Sequence, residues 1–303
     1  MTTKTVVLIS LALILGIGVW IPSGIGRAAI TNDQITFLPL LTNGQEVSPP
    51  ATLVIDHRNT AIEKIPASWI EAARQLTIAY AHTSHGSQVL TGLEWLEKQD
   101  PRYQVAIQST WEGMGLPDEP GALRIYDGNN VPGNDYITPE LYWSTEQGRG
   151  YTRSVAGSGL FDLATWTWCG QQSSNSTADV TLYLNTLNQF EQDFPGVQFI
   201  YMTGHTDGNY NGSNLQRNNQ LVRDYAIAHD KILFDFADLE SYDPSGTYYP
   251  NTDDNCPWCQ TWCSQHPSYC ANLDQMGDCA HTHPLICKIK AQAFWWLAAR
   301  LAG

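Results

Sequence analysis

Residues 76–99 read LTIAYAHTSHGSQVLTGLEWLEKQ, and the order of elements they imply sets the fold class. LTIAYA has the length and apolar character of a short buried strand. HTSHGS breaks it with small polar residues. From Gln88 onward Val89, Leu90, Leu93 and Leu96 recur on one helical face, until Asp100-Pro101 closes the run at Gln99. Strand, turn and helix in that order form the repeating unit of a parallel sheet.

The unit recurs along the chain. Ser68–Gln75 has helical spacing behind Pro66, and YQVAIQ (103–108) reads as a second strand. DLATWTWCG (162–170) reads as a third strand ending in Gly170, Val180–Phe194 as a helix, and VQFIYMTG (197–204) as a fourth strand. Asn214–His229 reads as a helix, KILFDFADL (231–239) as a fifth strand, and Pro284–Leu301 as a final helix pressing Phe294, Trp295, Trp296 and Leu297 onto the sheet. Thr110–Gly159 is rich in Gly, Pro, Asn and Asp without a period, and is expected to be a set of loops over one end of the sheet. Strands alternating with helices predict an α/β fold with a mostly parallel central sheet covered on both faces. Sites in such sheets lie at the carboxyl ends of the strands.

The amino terminus has the order of an export signal: Lys4, an apolar stretch from Val6 to Trp20, and Gly26-Arg27-Ala28 as a small-x-small cleavage site. Residues 1–28 are read as the signal, 29–52 as a linker and 53–303 as the working domain. An uncleaved anchor is the rival, but Pro22 and Gly24 interrupt the run before a bilayer span of ~20 residues. No stable membrane span is expected after signal cleavage. The chain carries a formal charge of -14, and loss of Lys4 and Arg27 with the signal makes this more negative by two. No basic cluster offsets that field, so a nucleic-acid partner is not expected, and a neutral small-molecule or polysaccharide substrate fits better.

Six of the seven cysteines fall between Cys256 and Cys287, while Cys169 stands alone. In an exported chain, clustered cysteines are expected to form disulfides stapling a loop-rich segment. Zinc at CPWC with Cys263, or a CxxC redox pair, are the alternatives. The odd count leaves one free thiol or one unusual pair.

Polar clusters follow the predicted strands: HTSHGS after the first, GQQSS after the third and GHTDGN after the fourth, with DCAHTH before the last helix. With these blocks the chain resembles the SGNH/GDSL hydrolase superfamily, through Asp278 and His281 as a late DxxH block, an amphipathic last helix, and HTSHGSQ where that family has its nucleophile turn. The resemblance covers roughly residues 53–303. It implies a flavodoxin-like three-layer sandwich, here with a disulfide-stapled C-terminal loop region. It also implies a secreted or cell-envelope serine esterase that uses no cofactor or metal and removes acyl groups, acetyl among them, from carbohydrate or other neutral esters. Ser84 is then the nucleophile, His281 its base and Asp278 the group that orients the ring. Gly170, Gln171, Gln172, His85 and His205 are candidates for the oxyanion and substrate side. His82-Thr83 replaces the family's Gly-Asp before the serine, and Gly170-Gln171-Gln172-Ser173 replaces its Gly-x-Asn-Asp block.

Other readings use the same residues. Asp278 and His281 as a helix cap and a surface histidine are the plain alternative. Ser87 is a second serine in the turn, expected to bond backbone. His82, His85, His205 and His283 are a possible imidazole set for a metal-dependent hydrolase. Asp207, Asn209 and Asn211 faintly resemble a calcium loop, with an Asx turn as the alternative. Trp111, Tyr126, Tyr136, Tyr142 and Trp143 would serve a non-catalytic carbohydrate-binding protein.

Overall fold

The computed structural model describes residues 29–31, 34–36, 52–208 and 212–303. The expected export signal, most of the linker, and Asn209 and Asn211 of the calcium-like segment lie outside these residues. Residues 1–49 and 50–303 form two separate compact units. In the first, Ala29–Thr31 pairs antiparallel with Gln34–Thr36.

The second unit is built on seven parallel strands: β1 (Leu53–Ile55), β2 (Thr77–His82), β3 (Val105–Ser109), β4 (Leu123–Asp127), β5 (Leu163–Thr167), β6 (Gln198–Met202) and β7 (Ile232–Phe234). Their order across the sheet is β1-β7-β6-β5-β2-β4-β3. Without the edge strands β1 and β3 this is the flavodoxin-like order, whose ligand crevice opens where the chain winds first to one side and then to the other. That switch lies between β2 and β5. Every residue of both strands is buried, as expected of strands covered on both faces.

The helices are α1 (Ala67–Ala73), α2 (Ser87–Gln99), α3 (Glu146–Ala156), α4 (Gln171–Ser174), α5 (Thr177–Asp193), α6 (Asn214–Ala228), α7 (Phe236–Ser241), α8 (Cys259–Gln265) and α9 (Pro284–Ala302). α1 and α2 pack on α9, and α5 packs on α6. In α9, Phe294, Trp295 and Leu297 are fully buried, each contributing about 1.5–3 kcal/mol of transfer free energy. Trp296 is only partly buried, and its indole nitrogen donates to the Ala61 carbonyl at 3.2 Å.

Two expectations change. Thr110–Gly159 is not loop throughout, since it contains β4 and α3. KILFDFADL is not one strand. β7 stops at Phe234, because Asp235 accepts the backbone N–H of Asp238 and starts α7.

The C-terminal cysteines form three disulfides, Cys256–Cys259, Cys263–Cys270 and Cys279–Cys287, and leave Cys169 free. Disulfides of this kind fit an oxidising compartment. Among the described residues no helix is long and apolar enough to cross a membrane.

Candidate active site

Three loops leave the carboxyl ends of β2, β5 and β6 and meet over the switch point. After β2 the chain turns through Ser84–Gly86 into α2. The turn is tight because residue 86 is glycine: a Cβ there would lie 2.0 Å from Thr167 Oγ1 and 2.3 Å from His82 Cβ. The close approach sets Ser84 and His85 beside the end of β5, where Cys169 emerges.

Cys169 Sγ is the centre of the cluster. It lies 3.3 Å from His85 Nδ1 and 3.4 Å from Ser84 Oγ, with a ring nitrogen of His205 within 4.8 Å. His205 Nδ1 is 2.7 Å from the Thr206 carbonyl. A carbonyl only accepts, so Nδ1 carries the hydrogen and Nε2 is left for the thiol. His85 Nε2 lies 3.1 Å from Asp254 Oδ2, which fixes its hydrogen in the same way and leaves Nδ1 toward sulfur. The two rings are stacked with centroids 3.7 Å apart.

These contacts set the charge state. His205 first, then His85 and Ser84, favour the thiolate and lower the Cys169 thiol to about 4, although burial opposes them. For His205, burial pulls the ring down, but the neighbouring Cys169, the charge of Glu240 and the Thr206 carbonyl together raise it above its ordinary value. Both shifts favour a thiolate beside an imidazolium. Tyr136 completes the mouth. Burial and then the neighbouring Cys169 push its phenol up.

The residues picked out from sequence divide into two groups. Ser84, His85 and His205 meet at Cys169. His281 is exposed, has a left-handed backbone (φ 65°), and stacks its ring on His85 at 4.7 Å. Among the described residues no hydrogen bond joins its ring to Ser84 Oγ or to the exposed Asp278 carboxylate. The turn holding this pair is tied down elsewhere: the Asp278 carbonyl accepts from Thr91 Oγ1 at 3.1 Å, and Cys279 is in a disulfide. Gly170 follows Cys169 at the start of α4. Gln171 turns its side-chain Oε1 to accept the Cys169 N–H at 2.7 Å. Gln172 is fully buried with its amide nitrogen unpaired, and its Cβ and Cγ fill the space beside Gly204. Ser87 bonds the Ser84 carbonyl at 2.7 Å. His283 caps α9, its Nδ1 accepting from Leu285 N–H.

His85, Cys169 and His205 bring three metal-ligand atoms within 4.8 Å of one another. The ring orientation does not suit an ion. A metal about 2.0–2.3 Å from nitrogen and sulfur lies close to the plane of each ligating ring, and two rings face to face at 3.7 Å with an interplanar angle of 2° do not share such a point. A hydrogen-bonded sulfur farther out tolerates the offset.

No family model, curated protein or solved structure matches this chain.

Sequence reasoning set Cys169 aside as the odd thiol and gave no role to Asp254. An unpaired cysteine at the carboxyl end of the predicted strand 162–170 was the available signal. Asp254, in an irregular loop, gave none.

Proposed function

We propose that the chain is an exported hydrolase that opens neutral acyl esters, acetylated carbohydrate among them, with Cys169 as the nucleophile. The observation that carries this reading is the relay Cys169 Sγ, His85 Nδ1, His85 Nε2, Asp254 Oδ2, with steps of 3.3 and 3.1 Å. It has the logic of a nucleophile, a base and an orienting carboxylate. The thiolate attacks the carbonyl carbon and forms an acyl thioester. The departing alkoxide takes the proton that the Cys169 thiol gave to His85 Nδ1. Water then attacks the thioester and returns its proton to His85, and the carboxylic acid leaves as the thiolate is restored. His205 stabilises the thiolate, and Ser84 and Tyr136 hydroxyls sit beside it as donors to a developing charge.

The serine reading places Ser84 as the nucleophile in the same mouth, and hydrolysis of p-nitrophenyl acetate separates the two. Cys169→Ala is expected to lower kcat/KM by about a thousandfold or more, and Ser84→Ala only several-fold. A wild-type rate in Cys169→Ala with none in Ser84→Ala makes serine the nucleophile and ends the cysteine reading. Loss of activity with a chelator, restored by metal, points instead to a metal-dependent hydrolase. If wild type turns over no ester yet binds acetylated sugar, the chain is a binding protein, with exposed Trp111 and Tyr136 as its contact surface.

A further inference from the structure

Lys290 is a fully buried lysine on α9. Its ammonium lies 2.6 Å from Glu240 Oε1, bonds Gln88 Oε1, and sits 3.4 Å from the centre of the Phe236 ring. Glu240, also buried, uses its other oxygen to accept the Thr206 N–H at 2.6 Å and the Thr206 hydroxyl at 2.8 Å. Thr206 in turn gives its carbonyl to His205 Nδ1. Gln88, in the first turn of α2, donates through Nε2 to the Ala280 carbonyl at 2.5 Å, next to His281. One buried ammonium therefore ties together the loops that carry His85, His205 and His281.

A buried ion pair is a costly way to hold a fold together, since apolar residues of similar size often do as well or better. Its position here supplies a reason for it. We propose that Glu240, anchored by Lys290, is a positioning residue for the Cys169–His205 pair: it fixes the His205 tautomer through Thr206 and supplies the buried negative charge that faces that ring. This rests on the thiolate reading of Cys169. The other groups facing His205 are Cys169, the stacked His85 ring, the Thr206 carbonyl and Asp254. Those facing Lys290 are Glu240, Gln88, Phe236 and Asp254.

The test is the titration of His205 in histidine-labelled protein, followed by NMR and assigned by its disappearance in His205→Asn. In parallel, the rate of Cys169 alkylation by iodoacetamide is measured against pH. Glu240→Gln keeps the acceptor and removes the charge, so the His205 midpoint is expected to fall by about one pH unit, a tenfold loss of proton affinity. A merely structural residue would leave that midpoint in place. Glu240→Gln/Lys290→Met removes both charges and keeps an amide acceptor for the Thr206 N–H and hydroxyl. It covers the case in which Glu240→Gln does not fold, and the same fall is expected. If the wild-type His205 midpoint is raised and neither folded variant moves it, the proposal is overturned. If wild-type Cys169 alkylates only near the ordinary thiol range, the thiolate reading fails instead, and the proposal with it.

Discussion

His82 ends β2 and His205 lies three residues beyond β6, the two parallel strands that flank β5, and each is followed by a fully buried threonine. Each ring places Nδ1 2.7 Å from the carbonyl of that threonine. The local device is the same, and it fixes the same tautomer twice. The partners across the sheet differ. His82 Nε2 meets Asp127 at the end of β4, 3.0 Å away but too poorly aligned for a hydrogen bond, so the two form an ion pair. His205 meets the Cys169 thiolate beyond β5. The dipeptide sets the orientation of each ring, and the neighbouring strand sets its task.

The largest expected contrast is in turnover. His205→Asn is expected to lower ester hydrolysis by about 10²–10⁴, because the thiolate loses its main stabilising ring. His82→Asn is expected to stay within about tenfold of wild type while melting at lower temperature, since Asp127 is left without its counter-charge. Equal losses in kcat/KM would erase the distinction between the two histidines.

The next contrast is in thiol reactivity. In wild type, alkylation of Cys169 by iodoacetamide is expected to persist until the pH falls toward about 4. In His205→Asn the midpoint is expected to climb by about 1–3 units, the usual effect of one nearby opposite charge. In His82→Asn it is expected to stay put. An unmoved midpoint in His205→Asn would mean that His85 and Ser84 alone hold the thiolate.

The two loops also mark how far the sequence could be read. The strands carrying them were visible because β2, β5 and β6 are short apolar runs bounded by polar turns. β4 was hidden because its five residues, LRIYD, place Arg124 inside a strand flanked by turn-forming residues. α3 was hidden by two glycines in EQGRGYTRSVA. One of them, Gly148, is required because a Cβ there would lie 2.2 Å from the Glu140 carbonyl oxygen. At the site, both His-Thr pairs stood out, but their partners did not. Cys169 lies 84 residues after His85 and 36 before His205, and Asp254 lies further on still, so only the order of strands brings them together. Asp278 and His281 drew attention through spacing alone, and spacing does not say what a disulfide and a threonine on α2 do to the turn that holds them.

The smallest expected effect is a pH-dependent stability difference at His82. Burial pulls this ring down, and the adjacent Asp127, helped by the Thr83 carbonyl and the charge of Asp135, outweighs burial and leaves it raised. A raised folded value means that the stabilisation is full below the unfolded value of about 6.5 and is lost as the pH rises through the folded one. In Asp127→Asn burial is opposed only by the Thr83 carbonyl and the charge of Asp135, so protonating the ring in the folded state becomes costly. Wild type is therefore expected to exceed Asp127→Asn in unfolding free energy by about 1–2 kcal/mol near pH 5.5, with the gap shrinking toward pH 9. Denaturant titrations across that range measure it, and the difference between the two proteins cancels the similar slope that His205 contributes to both. A gap that stays constant with pH would show that Asp127 acts on His82 as a neutral packing partner, and the ion pair would no longer distinguish His82 from His205.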